Sequence, residues 1–184
     1  MLTAGWFWLT IAIGVFWALG AYNRLVRLQS QVQQSFDALE LRLLEFAELV
    51  QQVLSEGVIS SAPWRSELNL DQGASHWSRL QECARHLAME LAHMQEHPLR
   101  ADSVVRVRES QAQLQAAWDS LVAPSAYRVA VSDALQQRWQ AQRLLVQPDT
   151  QRFNQAVEQY NQAIAEFPAV LLARLFKFRP GFVL

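Results

Sequence analysis

The sequence predicts an all-α fold: an N-terminal transmembrane helix continuous with a long amphipathic helix, packed into an antiparallel helical bundle. Three observations predict it. Residues 2–22 (LTAGWFWLTIAIGVFWALGAY) hold no charged side chain. As a helix they would rise about 31 Å, the thickness of a bilayer's hydrocarbon core. Leu25, Leu28, Val32, Phe36, Leu39, Leu43, Phe46, Val50 and Val53 then recur every three or four residues, with no Gly or Pro to separate them from the apolar run. This is one apolar stripe on a polar helix. Further stripes of the same period follow, and no segment alternates with period two.

The elements follow in order. Residues 1–22 form the anchor. Its length and the lack of a Lys or Arg before it favour a span over a cleaved signal peptide. Trp6, Trp8, Trp17 and Tyr22 lie toward its ends, where amphipathic rings favour the headgroup level. Gly14 and Ala18 make a small-xxx-small pair. The bundle covers residues 23–168. Its first helix should end near Glu56-Gly57, Gly being a natural C-cap. Residues 58–63 and 69–75 read as loops, with Trp64 and Leu68 capping the bundle end. Ser75 is the expected N-cap of a second helix, with Trp77, Leu80, Ala84, Leu87, Leu91 and Met94 inward, ended by Pro98. A third helix over 99–122 turns Val104, Val107, Leu114, Trp118 and Leu121 inward, and Pro124 stops it. A fourth over 125–147 buries Tyr127, Val131, Leu135 and Trp139. Pro148-Asp149-Thr150 predicts a break and restart. The last long helix carries Phe153, Val157, Tyr160, Ile164 and Phe167. Residues 169–184 form an apolar and basic tail, which either lies on a membrane surface or folds back over a groove.

Composition removes several functions. The net charge is -1, and the basic groups form no stripe, so nucleic acid is not an expected partner. Cys83 is the only cysteine, so no internal disulfide forms. There is no phosphate-cradling Gly-rich loop, no G-x-S-x-G, no H-E-x-x-H and no CxxC. No catalytic residues and no cofactor are expected. One helical face of the second helix carries Cys83, His86, Glu90, His93 and His97. These are zinc-type ligands, and His93 and His97 are spaced to share an ion. The same face flanks an apolar stripe, where solvated polar residues are ordinary, so no metal is assigned. Glu90-Leu91-Ala92-His93 matches the Glu-x-x-His of di-iron bundles, but only once where two copies are needed.

The two ends of the body resemble the bacterial LemA family. Tyr22-Asn23-Arg24-Leu25-Val26-Arg27-Leu28, then Val32 and Ser35-Phe36-Asp37-Ala38-Leu39, is similar to that family's YN-x-LV-x-L…V…AW-x-x-I opening after a single span. Phe153-Asn154-Gln155-Ala156-Val157, Tyr160-Asn161, Ile164 and Phe167-Pro168 resemble its YN-x-AV-x-x-YN-x-x-I-x-x-FP. Ala173 to Phe178 is similar to its A-x-x-x-GF close. The family has a proline-containing D-L-I-P-N-L-V run where Leu44 to Val50 stands here, so this first helix should run on straighter. The resemblance implies an antiparallel bundle on an N-terminal anchor, and membrane organisation rather than catalysis. Asn154 and Asn161, one heptad apart, share a face. They read as register-fixing inter-helix hydrogen bonds, as solvated neighbours of core aromatics, or as ligand contacts.

These readings combine into one expectation. The chain is a single-pass, non-enzymatic scaffold or membrane-organising protein of a bacterial inner membrane. Arg24 and Arg27 behind the span place the N-terminus outside and the body in the cytoplasm. The expected partners are the lipid bilayer and either other proteins or further copies of the chain. A transmembrane signal relay through the first helix is the alternative, and a metal-binding bundle a weaker one.

Overall fold

In the computed structural model the backbone is described for residues 2–55, 70–96, 98–122, 131, 133–167 and 169–184. The side chains of 2–7, 9–11, 53–55 and 70–74 are not among those described. Five helices follow in order: α1 (Leu2–Ser55), α2 (Leu70–Glu96), α3 (Ala101–Val122), α4 (Asp133–Ala165) and α5 (Ala169–Leu175). No strand occurs among the described residues.

α1 is one unbroken helix through Leu44 to Val50, as the missing proline predicts. Its stripe is buried: Leu25, Val32, Phe36 and Leu39 have no exposed surface, and Leu43, Phe46 and Val50 very little. α1 packs against α2 and α4, α2 against α3, and α5 against both α1 and α4. Along α1, Trp17, Arg24, Phe36 and Phe46 meet Phe167, Glu166, Phe153 and Trp139 in turn. The ascending numbers meet descending ones, so α1 and α4 are antiparallel. Between α3 and α4 the described backbones do not pack directly. Side chains bridge them instead, with the Trp118 and Trp139 rings stacked at 4.0 Å and 6°.

The anchor expectation is not supported. Among the described residues no helix is long and apolar enough to cross a membrane. Apart from Trp8, the side chains before Ala12 lie outside the described residues.

Three further expectations need correction. α2 begins at Leu70, so residues 70–75 are helical and not a loop, and Ser75 is an interior residue and not the N-cap. One glycine in the helix, Gly73, costs about 1 kcal/mol, too little to stop a helix with a well-packed face. The fourth helix starts at Asp133; Val131 precedes it in coil, and Tyr127 lies outside the described residues. The loop residues 58–63, with Trp64, Leu68 and Pro124, also lie outside them. Phe167 is 74% exposed, because α4 ends at Ala165 and the chain turns before it.

The largest correction concerns Pro148, which sits inside α4 and does not break it. A proline here removes the donor to the Leu144 carbonyl, a cost of about 3 kcal/mol. Leu144 and Pro148 are both exposed, so the loss falls on the solvent side. On the opposite face Trp139, Val146, Phe153 and Val157 are buried, each contributing about 1.5–3 kcal/mol. Packing on both sides of the proline outweighs it. Polar contacts add to this seam. Arg42 on α1 pairs with Glu45 at 3.0 Å and with buried Asp149 at 3.5 Å. Gln142 donates to Glu45 at 2.9 Å and to the Arg42 carbonyl at 3.2 Å. Thr150 donates to the Val146 carbonyl at 3.1 Å.

The end of α5 is closed by a left-handed residue. Lys177 has φ 58°, and Phe178 N–H donates to the Ala173 carbonyl at 2.9 Å. This six-to-one bond with a left-handed residue before its donor is a Schellman cap, where Gly is the favoured residue. Lys177 holds the position of the Gly in the A-x-x-x-GF pattern. Lys177→Gly is expected to stabilise the fold by about 1 kcal/mol, read as a higher urea midpoint at unchanged slope.

The Gln142 hydrogen bond, and after it the Arg42 guanidinium, hold the Glu45 carboxyl below the usual carboxylate range. A depressed folded pKa stabilises the fold above the unfolded value, and the gain disappears as pH falls through the folded value. Between about pH 6 and about pH 3, Glu45→Gln should therefore lose less urea stability than the parent.

Candidate functional site

The described residues of the α2 stripe do not assemble into a metal centre. Cys83 is half-buried, and burial pushes its thiol up, away from the thiolate a metal needs. Glu90 is taken: Arg106 of α3 donates to it at 2.8 Å, and His86 Nε2 stands 3.7 Å from its other oxygen. His86 Nδ1 is buried without a hydrogen-bond partner. His93 faces solvent, and His97 lies outside the described residues. Among the described residues no group of three or more His, Cys, Asp or Glu could hold an ion.

The asparagines of the paired motif do assemble into something. Neither bonds to another helix. Asn161 Nδ2 donates to the Gly181 carbonyl at 2.9 Å, and Asn161 Oδ1 accepts from Gly181 N–H at 2.8 Å. Seven residues earlier Asn154 treats Leu184 in the same way, at 2.9 and 2.8 Å. Each side-chain amide pairs with a backbone residue as a neighbouring strand would. Seven helical residues rise about 10.5 Å, and three extended residues span about 10–11 Å. Residues 181–184 therefore run beside α4 at three residues per heptad, antiparallel to it. On the other side Arg108 of α3 donates to the Val183 carbonyl. The segment fills the gap that α3 and α4 leave between them.

Gly181 is buried in that gap. A Cβ there would stand 2.4 Å from Leu99 Cδ2 and 3.1 Å from Val157 Cγ1. An added Cβ would have to push the Leu99 methyl aside and press on Val157, so glycine gives the backbone its easiest approach to the Asn161 amide. Sequence reasoning missed Gly181; the Pro180-Gly181 pair is the local signal that could have pointed to it. Of the other motif residues, Leu25, Phe153 and Tyr160 are core, Asn23 and Val26 are exposed, and Pro168 lies outside the described residues. Tyr22 sets its ring 5.1 Å from Phe176 and 6.2 Å from Phe178, tying α1 to the start of the tail.

A second feature lies at the end of the bundle where α1 leaves it. Ile13, Val15, Phe16, Trp17 and Leu19 are exposed on α1. Phe167, Leu171, Leu175 and Phe176 are exposed at the α4–α5 corner beside them. The Trp17 and Phe167 rings, 5.5 Å apart, join the two sets. Arg24, Arg27, Arg174, Lys177 and Arg179 are exposed at this end, where Glu166 pairs with Arg24 at 3.1 Å.

Asn161→Ala and Asn154→Ala should each release part of the tail at a cost of about 1–3 kcal/mol. Hydrogen exchange at Gly181 and Leu184 reads this directly. Protection at both amides should fall in the double variant while the core of α1 and α4 stays protected.

The comparisons with known proteins agree with the motif. The LemA family model matches residues 81–183, which takes in α3, α4, both asparagines and Gly181. The similar opening at residues 22–41 lies outside the matched region. No curated protein and no solved structure matches the chain. With more than half of its residues covered by that model, the chain belongs to the LemA family.

Proposed function

We propose that the protein is a non-enzymatic, membrane-anchored scaffold, held to the lipid by residues 2–22 and by α5. One observation carries this reading: the apolar surface shared by residues 13–19 of α1 and the α4–α5 corner. Phe16 is 81% exposed, Phe167 74% and Leu175 72%, and Trp8 adds a ring nearer the N-terminus. A folded chain in water rarely shows so many large apolar side chains together unless something covers them. Five exposed basic residues fringe the surface and favour an anionic headgroup layer over a neutral protein face. On this reading α5 lies in the interface, with its apolar residues toward the acyl boundary and Arg174 and Lys177 at the headgroups. α1 carries the attachment into the bundle, because no break separates its apolar part from its buried stripe. The body then offers its α3–α4 side to partners.

Flotation with vesicles of phosphatidylcholine containing about a third phosphatidylglycerol tests the proposal. The full chain should float, and deletion of residues 1–21 should abolish stable flotation, since α5 alone is too short an anchor. Phe167→Ser with Leu175→Ser should reduce salt-resistant binding of the full chain without removing it. A full chain that stays at the bottom of the gradient overturns the proposal.

A further inference from the structure

Over a stretch that the tail does not line, α3 and α4 leave a cavity of about 660 Å³ between them. That is the size of a small-molecule cleft. The packing explains why it stays open. α3 packs on α2 and α4 on α1, and the two described backbones do not meet. The stacked rings of Trp118 and Trp139 set the spacing of the two helices at one level. Beneath the cavity Phe46, Leu114 and Val146 are almost wholly buried. What a ligand meets is therefore the polar wall and not the core.

That wall has an unusual chemistry. Arg108, Gln111 and Gln115 line it from α3, and Gln140, Arg143 and Gln147 from α4. No carboxylate lines it among the described residues. Elsewhere in the bundle Arg42, Arg85, Arg106 and Arg152 each pair with an acid one helical turn away. One turn to either side of Arg108 stand Val104, Val105, Gln111 and Ala112. Around Arg143 stand Trp139, Gln140, Val146 and Gln147. Neither cavity arginine has an acid within a turn to neutralise it. Arg108 spends one donor on the Val183 carbonyl, and Gln115 donates to Asp119 at 2.8 Å. The side chains of Gln111, Gln140, Arg143 and Gln147 make no hydrogen bond or ion pair with the described residues.

The register separates the two charges. Trp118 faces Trp139, and Arg108 lies beside the tail that Asn154 holds, so α3 and α4 are antiparallel. Arg143 is then about 6 Å along the groove from the tryptophan pair, and Arg108 about 15 Å along it on the facing wall. Between them lie uncharged amides. Each amide both donates and accepts, as a hydroxyl group does, whereas a guanidinium takes an acid group through paired donors.

We infer that this cavity binds a small sugar acid or sugar phosphate: a hydroxyl-bearing molecule with acid groups at two separated positions. Arg108 and Arg143 hold the acid groups, and Gln111, Gln140 and Gln147 the hydroxyls between them. A linear polyphosphate offers acceptors alone and leaves the amide carbonyls unused. The inference does not depend on the membrane reading, because it rests on a different face of α4 and on different residues.

The test is calorimetric titration of the full chain in detergent micelles. The probes are digalacturonate for the carboxylate case and fructose 1,6-bisphosphate for the phosphate case. Maltose supplies hydroxyls without charge, and suberate two carboxylates without hydroxyls. One saturable site is expected for at least one acidic sugar, with a Kd between about 10 μM and 1 mM. Whichever acid binds tighter identifies the acid group. Maltose and suberate should each bind about tenfold more weakly or worse. Arg143→Gln, and separately Gln140→Ala with Gln147→Ala, should each weaken the acidic sugar about tenfold. These three residues are exposed, and unchanged hydrogen-exchange protection in α4 shows that the variants keep the fold. Lack of saturation by both acidic sugars at about 5 mM overturns the inference. So does suberate binding as tightly as the sugars, or affinity that is unchanged in both variants.

Discussion

The seam between α1 and α4 is the constraint on which the rest of the fold depends. Phe36 against Phe153 and Phe46 against Trp139 fix the two helices antiparallel and in register. α2 is added to one flank of α1, and α3 only to α2. α3 therefore reaches α4 by side chains alone, and Trp139 is the pivot. It meets Phe46 of α1 edge-on at 4.3 Å and Trp118 of α3 face-on at 4.0 Å. The seam also explains how α4 carries Pro148. Removing one solvent-side hydrogen bond is a small loss beside four buried side chains on the other face.

Much of this is legible in the sequence, and the reason is periodicity. The stripes of α1, α2 and α3 name their buried residues almost without error, because burial of one helix face dictates the spacing. The first helix is readable to its end near Ser55, since a Gly follows it. What is not legible depends on tertiary packing. The break at Pro148 is a fair reading of local chemistry, overruled by contacts with a helix about a hundred residues earlier. Ser75 has the right side chain for a cap, and nothing local shows that the helix has already begun.

The asparagine pair shows the limit of a motif. The heptad spacing of Asn154 and Asn161 indicates a shared face and a shared partner. It does not indicate that the partner is extended backbone from the tail, because a seven-residue helical repeat suggests another helix first. The match between seven helical residues and three extended ones is invisible in a helical reading. The metal stripe fails for a different reason. Cys83, Glu90 and His93 do share a helical neighbourhood, but Arg106 from the next helix claims the carboxylate. Lys177 stands where the family pattern has a glycine, and its positive φ gives the physical meaning of that match.

The pair of amides on α4 has a geometric consequence of its own. A straight α-helix turns about 100° per residue, so a seven-residue step falls about 20° short of two full turns. Asn161 and Asn154 are therefore offset around α4 with a left-handed pitch. The extended backbone that they clasp at Gly181 and Leu184 crosses α4 at a slight slant and does not run parallel to its axis.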